Sequence, residues 1–115
     1  MGPLDWKFIK EVNADIEKNL QKTEYNINAL SASLCMSRTS FYNKIKALTG
    51  QAPSEYVRLI RLKHAARMLK DGVYNITEVA ERTGFNDPKY FREVFKKYYK
   101  VAPSQYASGE SSYTV

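Results

Sequence analysis

The chain has 115 residues and a mass of 13.2 kDa, which fits one domain and leaves no room for a large catalytic domain beside a regulatory one. Apolar residues make up 43% and charged residues 26%, which excludes both a disordered chain and a membrane-spanning one. The net charge of +6 is unevenly spread: residues 26 to 70 hold eight basic residues against the single acid Glu55, while the flanks are near neutral.

Apolar residues recur at helical spacing almost throughout. Ile9, Val12, Ile16 and Leu20 predict a first helix over about residues 4 to 22, with Trp6 and Phe8 beside the stripe. Ile27, Leu30 and Leu34 define a short second helix with Asn28 as its cap. Ser37 caps a third, whose buried face reads Phe41, Ile45, Leu48 and which Gly50 stops. Pro53 suits the first turn of a long fourth helix, with Leu62, Ala65, Ala66 and Leu69 as its stripe and Gly72 at its end. Thr77 caps a short fifth helix carrying Val79 and Ala80, with Ile76 also apolar. Asp87 caps a sixth, with Pro88 at its first position and Phe91, Val94, Phe95 and Tyr98 facing inward. Pro103 opens a last short turn, and Ser108 to Val115 reads as a frayed tail.

The expected fold is therefore all-α, with about seven helices. Within a domain of residues 4–115, the segments are 4–25, 26–50, 53–71, 76–100 and 103–115.

Two of these segments repeat each other. Shifted by 50, Ser37, Phe41, Ile45 and Leu48 map onto Asp87, Phe91, Phe95 and Tyr98, as a cap followed by three core positions. Ala52-Pro53-Ser54-Glu55-Tyr56 likewise maps onto Ala102-Pro103-Ser104-Gln105-Tyr106. Upstream the shift is 49, pairing Asn28 with Thr77, Leu30 with Val79 and Cys35 with Gly84, so the second copy has one extra residue within 84–87. A short helix, a tight turn and a capped second helix make a helix-turn-helix unit, and the chain carries two, joined by the long fourth helix.

The positions left outside by the core of the third helix are Thr39, Tyr42, Asn43 and Lys46; their equivalents are Lys89, Arg92, Glu93 and Lys96. These suit base edges in a major groove. Asn43 matches adenine, Arg92 or a lysine guanine, Glu93 the amino group of cytosine, and Tyr42 a thymine methyl. Arg38, at the start of the third helix, suits a phosphate or a base nearby. Arg58, Arg61 and Lys63 on the connecting helix are placed for phosphates between grooves, or for pairing with Glu55 and packing on the core. A connecting helix about 25 Å long can hold two such units near the ~34 Å that separates successive major grooves.

Other features are sparse. The opening Met1 to Lys7 has no apolar run of the kind that leads secretion, and with one cysteine and one histidine no zinc site is expected. Cys35 reads as a small buried hydrophobe and His64 as a structural helix residue. An enzyme fares badly as a reading, lacking a phosphate loop, a dinucleotide fingerprint and a nucleophile with its base. A basic helical module that binds protein or an anionic membrane is the better rival, since it explains the charge, though not the repeated caps or the polar stripes. Single-strand or RNA binding has only Tyr42 and Tyr90 to offer as stacking platforms.

Over about Ile27 to Tyr106 the sequence resembles the DNA-binding domain of the AraC/XylS family of transcription regulators. The resemblance is carried by Arg61-Leu62-Lys63-His64-Ala65-Ala66-Arg67-Met68-Leu69, Ile76-Thr77-Glu78-Val79-Ala80, Gly84-Phe85 and Tyr90-Phe91. Val94-Phe95-Lys96-Lys97 and Pro103-Ser104-Gln105-Tyr106 continue it. The first copy, Met36 through Tyr42 and Lys44 through Gly50, is closest to the output domains of hybrid two-component regulators of Bacteroidetes. The resemblance implies a cytoplasmic fragment of a longer regulator that binds double-stranded DNA in a sequence-specific manner. It also implies RNA polymerase as a second partner, a homodimer formed through regions outside this chain, and no cofactor or small-molecule ligand. By position it implies base reading by Thr39, Tyr42, Asn43 and Lys46, then by Lys89, Tyr90, Arg92 and Glu93, with Arg38 beside them. Phosphates fall to Ser37, Lys44, Arg58, Arg61, Lys63 and Lys96. Two departures stand out: Cys35 where the second copy has Gly84, which predicts a strained first turn, and Lys100 where the first has Gly50, which predicts a different end to the sixth helix.

Overall fold

A computed structural model describes residues 2–109. Seven helices follow one another: α1 (Pro3–Lys18), α2 (Ile27–Ser33), α3 (Arg38–Thr49), α4 (Pro53–Asp71), α5 (Ile76–Arg82), α6 (Pro88–Tyr99) and α7 (Pro103–Ala107). No strand occurs among the described residues. The chain divides into two compact units, one ending at Ile60 and the other beginning at Arg61.

The core of the first unit draws Phe8, Ile9, Val12 and Ile16 from α1, Leu30 from α2, Phe41 and Ile45 from α3, and Tyr56 and Ile60 from α4. The periodic apolar residues of α1 thus bury one face, and Phe8 meets Phe41 edge-on with ring centroids 6.0 Å apart. Asp15 ties α1 to its neighbours by accepting from the Tyr25 hydroxyl and, at 2.7 Å, from Ser33 Oγ. Trp6, placed beside the stripe by the sequence, is exposed, because the helix turns it away from that face.

The second unit is built around Leu62, Ala65, Ala66 and Leu69 of α4, Val79 and Ala80 of α5, Phe85, and Phe91 and Phe95 of α6. Phe95 stacks on Tyr99 at 4.5 Å and meets Tyr106 of α7 edge-on. Tyr98, expected inside, is 47% exposed. The inward row runs 91, 95, 99 at intervals of four, so Tyr99 takes the place the sequence assigned to its neighbour.

Local chemistry explains where the helices start. Ser37 Oγ accepts from the Ser40 amide at 3.1 Å, and the Asp87 carboxylate accepts from the Lys89 amide at 2.9 Å, both as expected. The caps of α2 and α5 lie two residues earlier than predicted. Asn26, not Asn28, accepts from Ala29, while Asn75, not Thr77, exchanges hydrogen bonds with Glu78 in a capping box. Ile27 and Ile76 open their helices at the first position, which moves both caps by the same two residues and preserves the repeat.

The two helix-turn-helix turns are built alike. After α2, Cys35 donates to Ala32 and Met36 to Ser31; after α5, Gly84 donates to Glu81 and Phe85 to Ala80. This is the Schellman pattern, and it needs a left-handed residue, supplied by Cys35 at φ 57° and Gly84 at φ 86°. The strain expected at Cys35 is therefore present. Its burial is not: Cys35 is exposed, because the left-handed turn directs its Cβ away from the core. Lys100 also differs from expectation, ending α6 in the left-handed conformation with which Gly50 ends α3. Residues 110–115 of the expected tail lie outside the described residues.

Candidate nucleic-acid interface

Burying Phe41 and Ile45 rotates the opposite face of α3 to the surface. That face presents Arg38, Thr39, Asn43 and Lys46, all exposed, with Tyr42 at 47%. Arg38, Thr39, Tyr42 and Asn43 come together with Ile27 of α2 around an open depression of about 460 Å³. Ile27 was legible in the sequence only as a core residue; its half-buried side chain also forms the apolar wall of this depression.

In the second unit the burial of Phe91 and Phe95 likewise turns Lys89, Arg92, Glu93 and Lys96 outward, and all four are exposed. Tyr90 is 43% exposed, with its ring 6.3 Å from that of Phe85. The Asp87 cap and the Pro88 that follows hold this first turn in place. Among the described residues, no hydrogen bond or ion pair engages the side chains of Arg38, Thr39, Tyr42, Asn43, Lys46, Lys89, Arg92, Glu93 or Lys96.

The expected phosphate set divides. Arg58 and Lys63 are exposed on α4. Ser37 is exposed, with its oxygen already accepting the capping bond. Lys44 is half-buried and sets its Nζ 4.4 Å over the Phe8 ring, joining α3 to α1.

Arg61 is a correction. It is 7% exposed, and its Nη1 donates to the backbone carbonyl of Thr83 at 2.9 Å. Thr83, fully buried, caps the end of α5 while its own hydroxyl bonds Val79 O at 2.7 Å. The guanidinium therefore satisfies a buried acceptor in the second unit and is not available to a phosphate. A signal existed: Arg61, Ala65 and Leu69 recur every four residues, so Arg61 lies on the inward stripe.

No group of three or more His, Cys, Asp or Glu among the described residues could hold a metal ion. No described helix is long and apolar enough to cross a membrane.

A family described as a helix-turn-helix domain matches residues 30–109. The chain is 38% identical over 106 residues to Histidine kinase P4 of Formosa agariphila, covering 92% of this chain and 8% of that protein. It overlays the DNA-binding domain of AdpA, a global transcriptional factor solved in complex with a target DNA, with a TM-score of 0.78 at 31% identity. That match covers 87% of this chain and 89% of the other. It is also similar to the C-terminal domain of the two-component response regulator yesN from Fusobacterium nucleatum, with a TM-score of 0.78 at 28% identity. Coverage there is 88% of this chain and 98% of that one. Across eight of the curated relatives it matches, the chain spans between 8% and 39% of their length.

Proposed function

Since this chain belongs to the AraC-type helix-turn-helix family, as the DNA-binding domain of a transcription regulator, we propose that it reads two adjacent blocks of duplex DNA, one with α3 and one with α6. The observation that carries this reading is the pair of equivalent, similarly capped helices, each presenting an unpartnered polar stripe. Side chains without internal partners keep their hydrogen-bonding capacity for a ligand.

Phosphate contacts from Arg58, Lys63, Lys96 and Ser37 anchor the domain and supply affinity, while Thr39, Tyr42, Asn43, Lys89, Tyr90, Arg92 and Glu93 supply discrimination. Arg38 and Lys46, at the two ends of α3, contribute to either set. The two units enter successive major grooves, linked by the 19-residue α4. Likeness to a response-regulator domain and to part of a histidine kinase supports a place as the output domain of a hybrid two-component regulator. In that setting the domain works on cytoplasmic DNA, pairs through regions outside this chain and meets RNA polymerase at a promoter; it takes no small ligand and catalyses nothing itself.

Selection of binding sites from a random duplex library, at about 0.15 M salt to screen surface attraction, tests the proposal. Two conserved blocks about ten base pairs apart are expected. Binding without enrichment, fading steeply as salt rises, would leave only a basic surface and favour the protein- or membrane-binding alternative.

A further inference from the structure

The two capped helices share a frame but not a chemistry. Fifty residues apart, Tyr42 answers to Arg92 and Asn43 to Glu93, at matching distances from the caps Ser37 and Asp87. One copy thus presents neutral groups where the other presents charged ones.

Glu93 carries the most information. Lys89 lies four residues before it, and Lys96 and Lys97 three and four after, spacings at which helical ion pairs form. Glu93 nonetheless pairs with none of them. An acid on a phosphate-facing surface weakens attraction to the backbone, so its place there is explained by a contact that only an acceptor makes. The major groove offers two base donors, adenine N6 and cytosine N4, and cytosine N4 is the one that a carboxylate characteristically accepts from. Arg92, beside it, has the planar fork that fits O6 and N7 of guanine.

On α3 the same positions favour the other base pair. The Asn43 amide offers the donor and acceptor that match N7 and N6 of adenine. Tyr42 and the apolar wall of Ile27 border the depression of about 460 Å³, which suits a thymine methyl. Arg38 in the first turn of α3, which also borders the depression, and Lys46 in the last turn serve a phosphate or a neighbouring base.

We infer that the DNA target is chemically asymmetric, with an A·T-rich block under α3 centred on an adenine held by Asn43, and G·C pairs under α6 held by Arg92 and Glu93. The inference rests on the DNA reading proposed above and adds the base composition of each block.

The test is selection from a random duplex library with the wild type, Asn43→Ala, Glu93→Gln and the double variant Tyr42→Arg/Asn43→Glu. All three positions involved are exposed, so the variants keep the core intact. One A·T block and one G·C block are expected in the wild-type motif. Asn43→Ala blurs only the A·T block, and Glu93→Gln reduces the preference for cytosine about tenfold in the other. The double variant converts the A·T block to G·C. Two blocks of like composition, Asn43→Ala blurring the G·C block, or a double variant that leaves the A·T block unchanged would each overturn the inference while the bipartite reading stood. No enriched motif at all would overturn both. If the double variant fails to fold, the two single variants decide by the same criteria.

Discussion

Gly50 and Lys100 close α3 and α6 with the same left-handed turn, at φ 76° and 69°, each amide donating four residues back, to Lys46 O at 2.9 Å and to Lys96 O at 2.8 Å. Glycine adopts this conformation freely, whereas for lysine it costs about 1–2 kcal/mol. Lys100→Gly is therefore expected to stabilise the second unit by up to about 1 kcal/mol, once the extra chain entropy of glycine is subtracted. Gly50→Ala is expected to cost about 1 kcal/mol in the first unit. No neighbour lies within 4 Å of a Cβ built there, so the cost would be conformational. Urea unfolding of both variants checks the opposite signs.

Helix α1 lies outside the segment matched by the family, 30–109, yet supplies four residues to the first core. Ile16 is fully buried. Truncating it to alanine removes transfer energy and leaves a cavity, with an expected loss of about 2–5 kcal/mol. Calorimetry should show the first unit melting earlier, and DNA affinity should fall with the folded fraction. An unchanged melting profile would mean that α1 is not part of the first unit's fold.

The buried guanidinium of Arg61 makes a different kind of prediction. Arg61→Ala orphans the Thr83 carbonyl and is expected to cost about 1.5–3 kcal/mol of stability. At a temperature where the variant stays folded, the slope of log affinity against log salt should match the wild type. A slope flattened by one unit would return Arg61 to the phosphate set.

Lys63, two residues further along α4, is exposed and should behave in the opposite way. Lys63→Ala is expected to leave stability within about 0.5 kcal/mol of wild type. It should weaken binding to all duplexes and flatten the salt slope by about one unit. Titrations at several salt concentrations separate the two positions on one helix.

Tyr56 gives the first unit a pH dependence. Its hydroxyl donates to Asn13 Oδ1 at 2.6 Å, and burial holds the phenol above its usual value. An acid with a raised native pKa keeps its proton in the folded state after the unfolded chain has lost it. Its stabilising contribution is thus complete below about pH 10 and falls away as the pH climbs past that value. Tyr56→Phe should cost about 0.5–1.5 kcal/mol near neutral pH. That difference from wild type should shrink above pH 10, as urea unfolding at pH 8 and pH 10.5 would reveal. A constant difference would mean that the phenol is not perturbed.

What the sequence determined by itself was the local and the periodic. Proline, aspartate and serine placed the starts of α3, α4 and α6; helical spacing named Phe41, Ile45, Phe91 and Phe95 as core, and the outward stripes followed as the complement of that core. The repeat was visible because the two copies share caps and core positions at a fixed offset. Tertiary structure decided the rest. It turned Arg61 inward to a carbonyl 22 residues away, seated Lys44 on the ring of Phe8, and joined α1 to the first core through Phe8 and Phe41. It also exposed Cys35 and held Lys100 left-handed. Spacing along one helix says which face is buried, but not which polar group on that face meets a partner from another element. That partner is set by packing between segments distant in sequence, and so are the left-handed turns that let those segments meet.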